Sequence, residues 1–99
     1  MANNVTSTPG HLEVISYQQI TSLSSATGLT VPDKATHAFI QPEAQNVRWR
    51  DDGNNPTASV GMLLVANDLF IYTGTFSAIK FIEVTASAKL NVTYYRNKG

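Results

Sequence analysis

The sequence predicts an all-β fold: a single antiparallel β-sandwich, jelly-roll-like, over residues 11–99, with a flexible N-terminal arm at residues 1–10. Three observations carry this expectation. Short runs dense in Val, Ile, Phe, Tyr and Thr recur at near-regular spacing, divided by turn residues, as in sandwiches and small barrels. No stretch sustains the apolar period of a helix for four turns. The 99 residues suffice for one core only, because a chain of this length buries roughly two-thirds of its unfolded surface.

The elements follow in order. "MANNVTSTPG" has almost nothing to bury and reads as an arm that frays or docks onto a neighbour. "HLEVISYQQI" alternates imperfectly, with Leu12 and Val14 on one side and Glu13 on the other, as a half-buried strand does. "TSLSSATGLTVPDKAT" is a long connection with a short extended piece at Leu29 to Val31. "HAFIQPE" is a strand that Pro42 either ends or confines to an edge, since proline cannot donate to a ladder. "EAQN" then makes a tight turn into the strand "VRWRD", which predicts a hairpin. Beyond the loop from Asp52 to Val60 come the apolar runs "GMLLV", "LFIYTG" and "IKFIEVT", separated by "AND" and "TFSA". Gly61 permits a positive φ or a close-packed entry to its strand, and Gly74 is read the same way. The last strand, "KLNVTYY", alternates cleanly, with Leu90, Val92 and Tyr94 on one face and Asn91, Thr93 and Tyr95 on the other.

Composition narrows the function. Only 14% of residues are charged, against about a quarter in an ordinary domain, so part of the surface is expected to face other protein. Seven basic and seven acidic residues cancel, leaving no field that would draw nucleic acid or an anionic membrane. Cysteine is absent, which removes disulfides and thiolate metal sites. The polar N-terminus lacks the pattern of a signal peptide, and no run approaches the roughly 18 apolar residues of a membrane span. The expected setting is the cytoplasm or an assembly built there.

The densest chemistry is "VRWRDDGNN". Strand alternation puts Val47, Trp49 and Asp51 on one face, with Trp49 as the core anchor, and Arg48 and Arg50 on the other. There the arginines either contact a partner or pair with carboxylates of the protein itself. Asp51 and Asp52 would serve as a general acid/base pair only if a turn brought their oxygens together. With Gly53 following, Asp52 fits a structural turn in which its carboxylate accepts from backbone N–H groups ahead of it. A calcium loop lacks its terminal bidentate Glu. His11 and His37 are too few for a cupin-like metal cage, and no serine has a nucleophile elbow or a histidine relay. No catalytic residue, metal or cofactor is therefore predicted. Tyr94 and Tyr95 point to opposite faces: either Tyr94 is core and Tyr95 lies in a contact surface, or both close the end of the sandwich. Exposed tyrosines could also stack on sugar rings, which requires several aromatics on one face. The "NVT" glycosylation patterns at Asn4 and Asn91 carry no chemistry without a secretory signal.

The run from about Ala38 to Tyr95 resembles a family of small proteins, roughly 100 residues long, encoded by tailed bacteriophages and prophages. The most specific segments are "VRWRDDG", "PTASVGM", "FIEVTASAKLNV" and the closing "YY". The resemblance implies a non-enzymatic virion protein, a head decoration or cement protein, or else a tail or head-to-tail accessory. It implies capsid or tail proteins as partners and a virion location after assembly in the host cytoplasm. A homo-oligomer is expected, a trimer first, with Arg48, Arg50 and Tyr95 as candidate partner-binding residues. A carbohydrate-binding sandwich is the alternative.

Overall fold

The computed structural model describes residues 11–97. The arm expected at residues 1–10 lies outside the described residues. Among the described residues there are eight strands: β1 (Leu12–Ile20), β2 (Thr27–Gly28), β3 (His37–Glu43), β4 (Val47–Arg50), β5 (Met62–Leu64), β6 (Phe70–Tyr72), β7 (Lys80–Glu83) and β8 (Lys89–Asn97). They form two four-stranded antiparallel sheets, ordered β1-β8-β3-β6 and β2-β7-β4-β5. The chain is thus an all-β sandwich, with no helix among the described residues.

Alternation dictates the core. Leu90, Val92 and Tyr94 of β8, with Ala38 and Ile40 of β3, point inward and have no exposed surface. They meet Val47 and Phe81 from the opposing sheet, with Leu23 and Ile79 filling the ends. Tyr94 is the largest fully buried side chain, and its hydroxyl donates to Gln18 Oε1 at 2.7 Å, so the phenol enters the interior with its polar end satisfied. Burial pushes that phenol up to about 12.

Four local expectations need correction. The residues between β3 and β4 do not close a hairpin: the two strands lie in different sheets, each already flanked on both sides, and Ala44 turns the chain across at φ 76°. Asn46 fastens this arch, its side-chain Oδ1 accepting from Ala66 N at 2.9 Å and its backbone oxygen from Val84 N at 3.0 Å. The short extended piece falls at Thr27–Gly28, against β7, and not at Leu29 to Val31, which pack onto the core as loop. In β1 a bulge between Val14 and Ser16 reverses the phase, so Ile15 packs on the core while Val14 is 60% exposed. Pro42 neither ends β3 nor puts it at an edge: it is buried inside a strand that runs on to Glu43 and lies between β8 and β6. Its carbonyl accepts from Asn67 N at 2.7 Å beyond the end of β6, and its ring nitrogen, facing the same way, has no ladder bond to supply.

Candidate functional site

The segment "VRWRDDG" is tied to its own protein throughout. Arg48 donates from Nε to Ala58 O at 3.2 Å and from Nη1 to Gly61 O at 2.9 Å, so its half-buried guanidinium holds the loop leading into β5. Gly61 accepts this close approach because it has φ 141° and because a Cβ there would stand 3.2 Å from Arg48 Cβ, Pro56 Cβ and Trp49 O. Arg50 grips Asp52 in a fork, Nε to Oδ1 at 3.0 Å and Nη2 to Oδ2 at 2.5 Å. Asp52 also accepts from Asn54 N at 3.3 Å, and Gly53 turns beside it at φ 90°. The Arg50 hydrogen bond lowers the Asp52 carboxyl to about 2, which keeps it an anion at neutral pH.

Asp51 turns the other way. It accepts from the Tyr72 hydroxyl at 2.7 Å, while Thr75 O lies 3.3 Å from the same oxygen. Burial, and then the bond to Asp51, push the Tyr72 phenol up to about 12. The two aspartates therefore serve separate partners in separate directions. The pair is thus not turned onto one shared proton, the geometry that a paired-carboxylate acid/base site needs.

Trp49 reaches the core from its rim. It stacks on Phe70 with ring centroids 4.9 Å apart and meets Tyr72 edge-on at 6.2 Å, but it is only partly buried, and Tyr94 and Phe81 hold the centre. It pairs with Met62 at the end of the short strand β5, where one side of the ring lacks cover. His37 is held by Thr36, whose Oγ1 lies 2.8 Å from Nδ1. Among the described residues no three His, Asp or Glu side chains gather as a metal site.

Two surfaces remain. On one flank, β5 ends one sheet and β6 ends the other, joined by five residues; among the described residues neither has an outer neighbour. Six of the eight large exposed apolar side chains fall here: Val60, Met62, Leu63, Val65, Leu69 and Ile71. Register spreads them along the flank: Ile71, opposite Phe39, is on the outer face of one sheet, Leu63, opposite Arg48, is on the outer face of the other, and Met62, opposite Trp49, faces the edge between them. Asp68 is the one charged residue between positions 60 and 71.

The second surface is the outer face of the sheet β1-β8-β3. Register places Tyr17 opposite Thr93 and Thr93 opposite Phe39, with the row Gln19, Asn91, Gln41 beside them. The Tyr95 ring packs on Phe39, centroids 4.7 Å apart and tilted 52°. Asn91 is the polar hub: its Oδ1 accepts from Tyr17 Oη at 2.6 Å and Gln19 Nε2 at 3.0 Å, and its Nδ2 donates to Glu43 Oε1 at 3.0 Å. Together these line a shallow depression of ≈ 480 Å³. Of the residues singled out from sequence, Tyr95 lies here, whereas Arg48 and Arg50 lie on the opposite sheet. Tyr17 and Phe39 were not singled out; the clean alternation around Thr93 was the available signal for one of their neighbours. No protein-family model, curated protein or solved structure matches the chain.

Proposed function

We propose that this chain is a non-enzymatic virion structural protein of a tailed phage, a head decoration or cement protein acting through protein–protein contacts. The observation that carries the assembly role is the β5/β6 flank, where strand edges unpaired among the described residues run beside six exposed apolar side chains and a single charge. Edges of this kind pair with other chains unless they are covered, and a patch this apolar favours burial. The occupant is a second copy of the chain: the protein carries no net charge, so copies do not repel, and between positions 60 and 71 the flank offers a charged partner Asp68 alone.

The phage setting rests on the sequence resemblance. Two of its segments, "VRWRDDG" and "PTASVGM", are joined through Arg48, which bonds Ala58 and Gly61, so they form one physical unit. The strand order β1-β8-β3-β6 over β2-β7-β4-β5 supports reading the sandwich as a jelly roll, the eight-stranded double Greek key used in capsid domains. A trimer places three such flanks around one axis, and many weakly bound copies reinforce one another on a shell. A tail or head-to-tail accessory would use the same flank.

Sedimentation of the purified protein, followed by co-sedimentation with phage capsids and with tails, tests the reading. A discrete oligomer that binds capsids supports decoration, and binding to tails alone moves the role to the accessory. A monomer at every concentration that binds neither particle overturns the proposal.

A further inference from the structure

We propose that the depression on the outer face of β1-β8-β3 binds a neutral saccharide, with Tyr17, Phe39 and Tyr95 covering sugar C–H faces while Asn91, Gln41 and Thr93 meet its hydroxyls. The inference does not rest on the assembly reading: its rings and amides sit on β1, β8 and β3, and of the flank's side chains only Leu69 also lines the depression. Its volume of ≈ 480 Å³ falls within the range of small-ligand sites, about 300–1,000 Å³. The Phe39 and Tyr95 rings, 4.7 Å apart and tilted 52°, form a cradle and not a flat table, and Tyr17 stands 59% exposed across Thr93 from Phe39.

The polar groups suit hydroxyls, which both donate and accept. Asn91 is locked by Tyr17, Gln19 and Glu43, so the amide row is organised before a ligand arrives. Beside that hub, the Thr93 and Tyr95 hydroxyls and the side-chain carbonyl of Gln41 have no hydrogen bond among the described residues, leaving groups that can accept and donate. Among the described residues Glu43 is the only acidic or basic side chain lining the depression, and it already accepts from Asn91, so the face complements an uncharged polyhydroxyl ligand better than an anion or a cation. A protein partner would be better served by an apolar centre with a polar rim, whereas here Thr93 lies between Tyr17 and Phe39 and the amide row Gln19, Asn91, Gln41 runs beside the rings.

The test is an amide NMR titration of the full chain with maltose, cellobiose, lactose and their longer homologues. Saturable shifts at the Asn91 and Gln41 side-chain amides and at Thr93 are expected for at least one sugar. Tyr95→Ala and Tyr17→Ala should each weaken that binding by about tenfold or more, whereas Met62→Lys, on the assembly flank, should leave it unchanged. Absence of shifts with every sugar up to about 20 mM, a dissociation constant unmoved by both tyrosine variants, or shifts confined to the other sheet would overturn the proposal. Loss of oligomerisation in Met62→Lys with sugar binding intact would separate the two surfaces; loss of both in that variant would count against the saccharide site.

Discussion

Met62→Lys is the perturbation that most directly probes the assembly flank. Val60, Met62, Leu63, Val65, Leu69 and Ile71 are 54%, 61%, 49%, 44%, 59% and 50% exposed. Complete burial of such a side chain is worth about 1.5–3 kcal/mol, so covering the exposed half contributes about 1 kcal/mol each. Six side chains then supply about 6 kcal/mol per copy, or about 18 over a trimer. Each association step loses roughly 4–15 kcal/mol of rigid-body freedom, so the surplus is small and every contact in the patch matters. Replacing Met62 removes about 1 kcal/mol per copy and sets three ammonium groups around one axis. The combined loss of about 3 kcal/mol or more corresponds to at least a 100-fold weaker trimer. Fold stability should hardly change, because the side chain is already mostly in water. Analytical ultracentrifugation across concentration reads the shift, and thermal unfolding checks the fold. Val14→Lys is the control: it is 60% exposed but lies on β1, at the far end of its sheet from β6. Equal weakening by Val14→Lys, or a Met62→Lys protein that assembles as well as the parent, would refute the reasoning.

Three further outcomes follow from the interior. In Gly74→Ala the new Cβ would stand 2.5 Å from Tyr72 Oη and 2.6 Å from Cζ, so the ring must move and release Asp51. A destabilisation of about 1–3 kcal/mol in denaturant unfolding is expected, and an unchanged midpoint would contradict the close approach. Asn46→Ala strips Ala66 N–H of its acceptor and should destabilise by about 1–2 kcal/mol with faster exchange at that amide. Asn46→Asp keeps the oxygen and should restore both. The Tyr72 and Tyr94 phenols stand near 12 in the folded chain against 10.0 unfolded, so their contribution is complete below pH 10 and is lost as pH rises from 10 to 12, where the unfolded chain ionises first. Denaturation midpoints through that window should fall, and Tyr94→Phe should flatten the fall.

Where period-2 alternation dominates, sequence and structure coincide: Leu90, Val92 and Tyr94 occupy the buried face of β8, and the three apolar runs after residue 60 become β5, β6 and β7. Pairing is another matter. A short turn between two strands reads as a hairpin, but β3 and β4 arch between sheets because their neighbours are β8 and β6 on one side and β7 and β5 on the other, all distant in sequence. The β1 bulge is hidden for the same reason, since only pairing with β8 reveals that Ile15 takes the inner place. Site residues divide along this line. The opposite directions of Asp51 and Asp52 follow from alternation, whereas the acceptors of Arg48, Ala58 and Gly61, depend on the path of a loop. The join of Tyr17 to Asn91 spans 74 residues and no local pattern announces it.

The distribution of satisfied and open groups ties these parts together. Around "VRWRDDG" the arginines and aspartates already have partners within the chain, so recruiting them to an outside partner would first break Arg48 from its loop or Arg50 from Asp52. At the β5/β6 flank the situation is reversed: edge backbone and apolar side chains gain only when something covers them. The β1-β8-β3 face stands between these extremes, with an organised amide hub and unused hydroxyls beside exposed rings. In the proposed assembly β6 would face a second copy, while Tyr17, Asn91 and Tyr95 sit on β1 and β8, across β3 from that edge. An oligomer closed through β5 and β6 therefore leaves this part of the face outward, and a saccharide bound there would be presented once per copy, so that weak single-site binding is multiplied by the array.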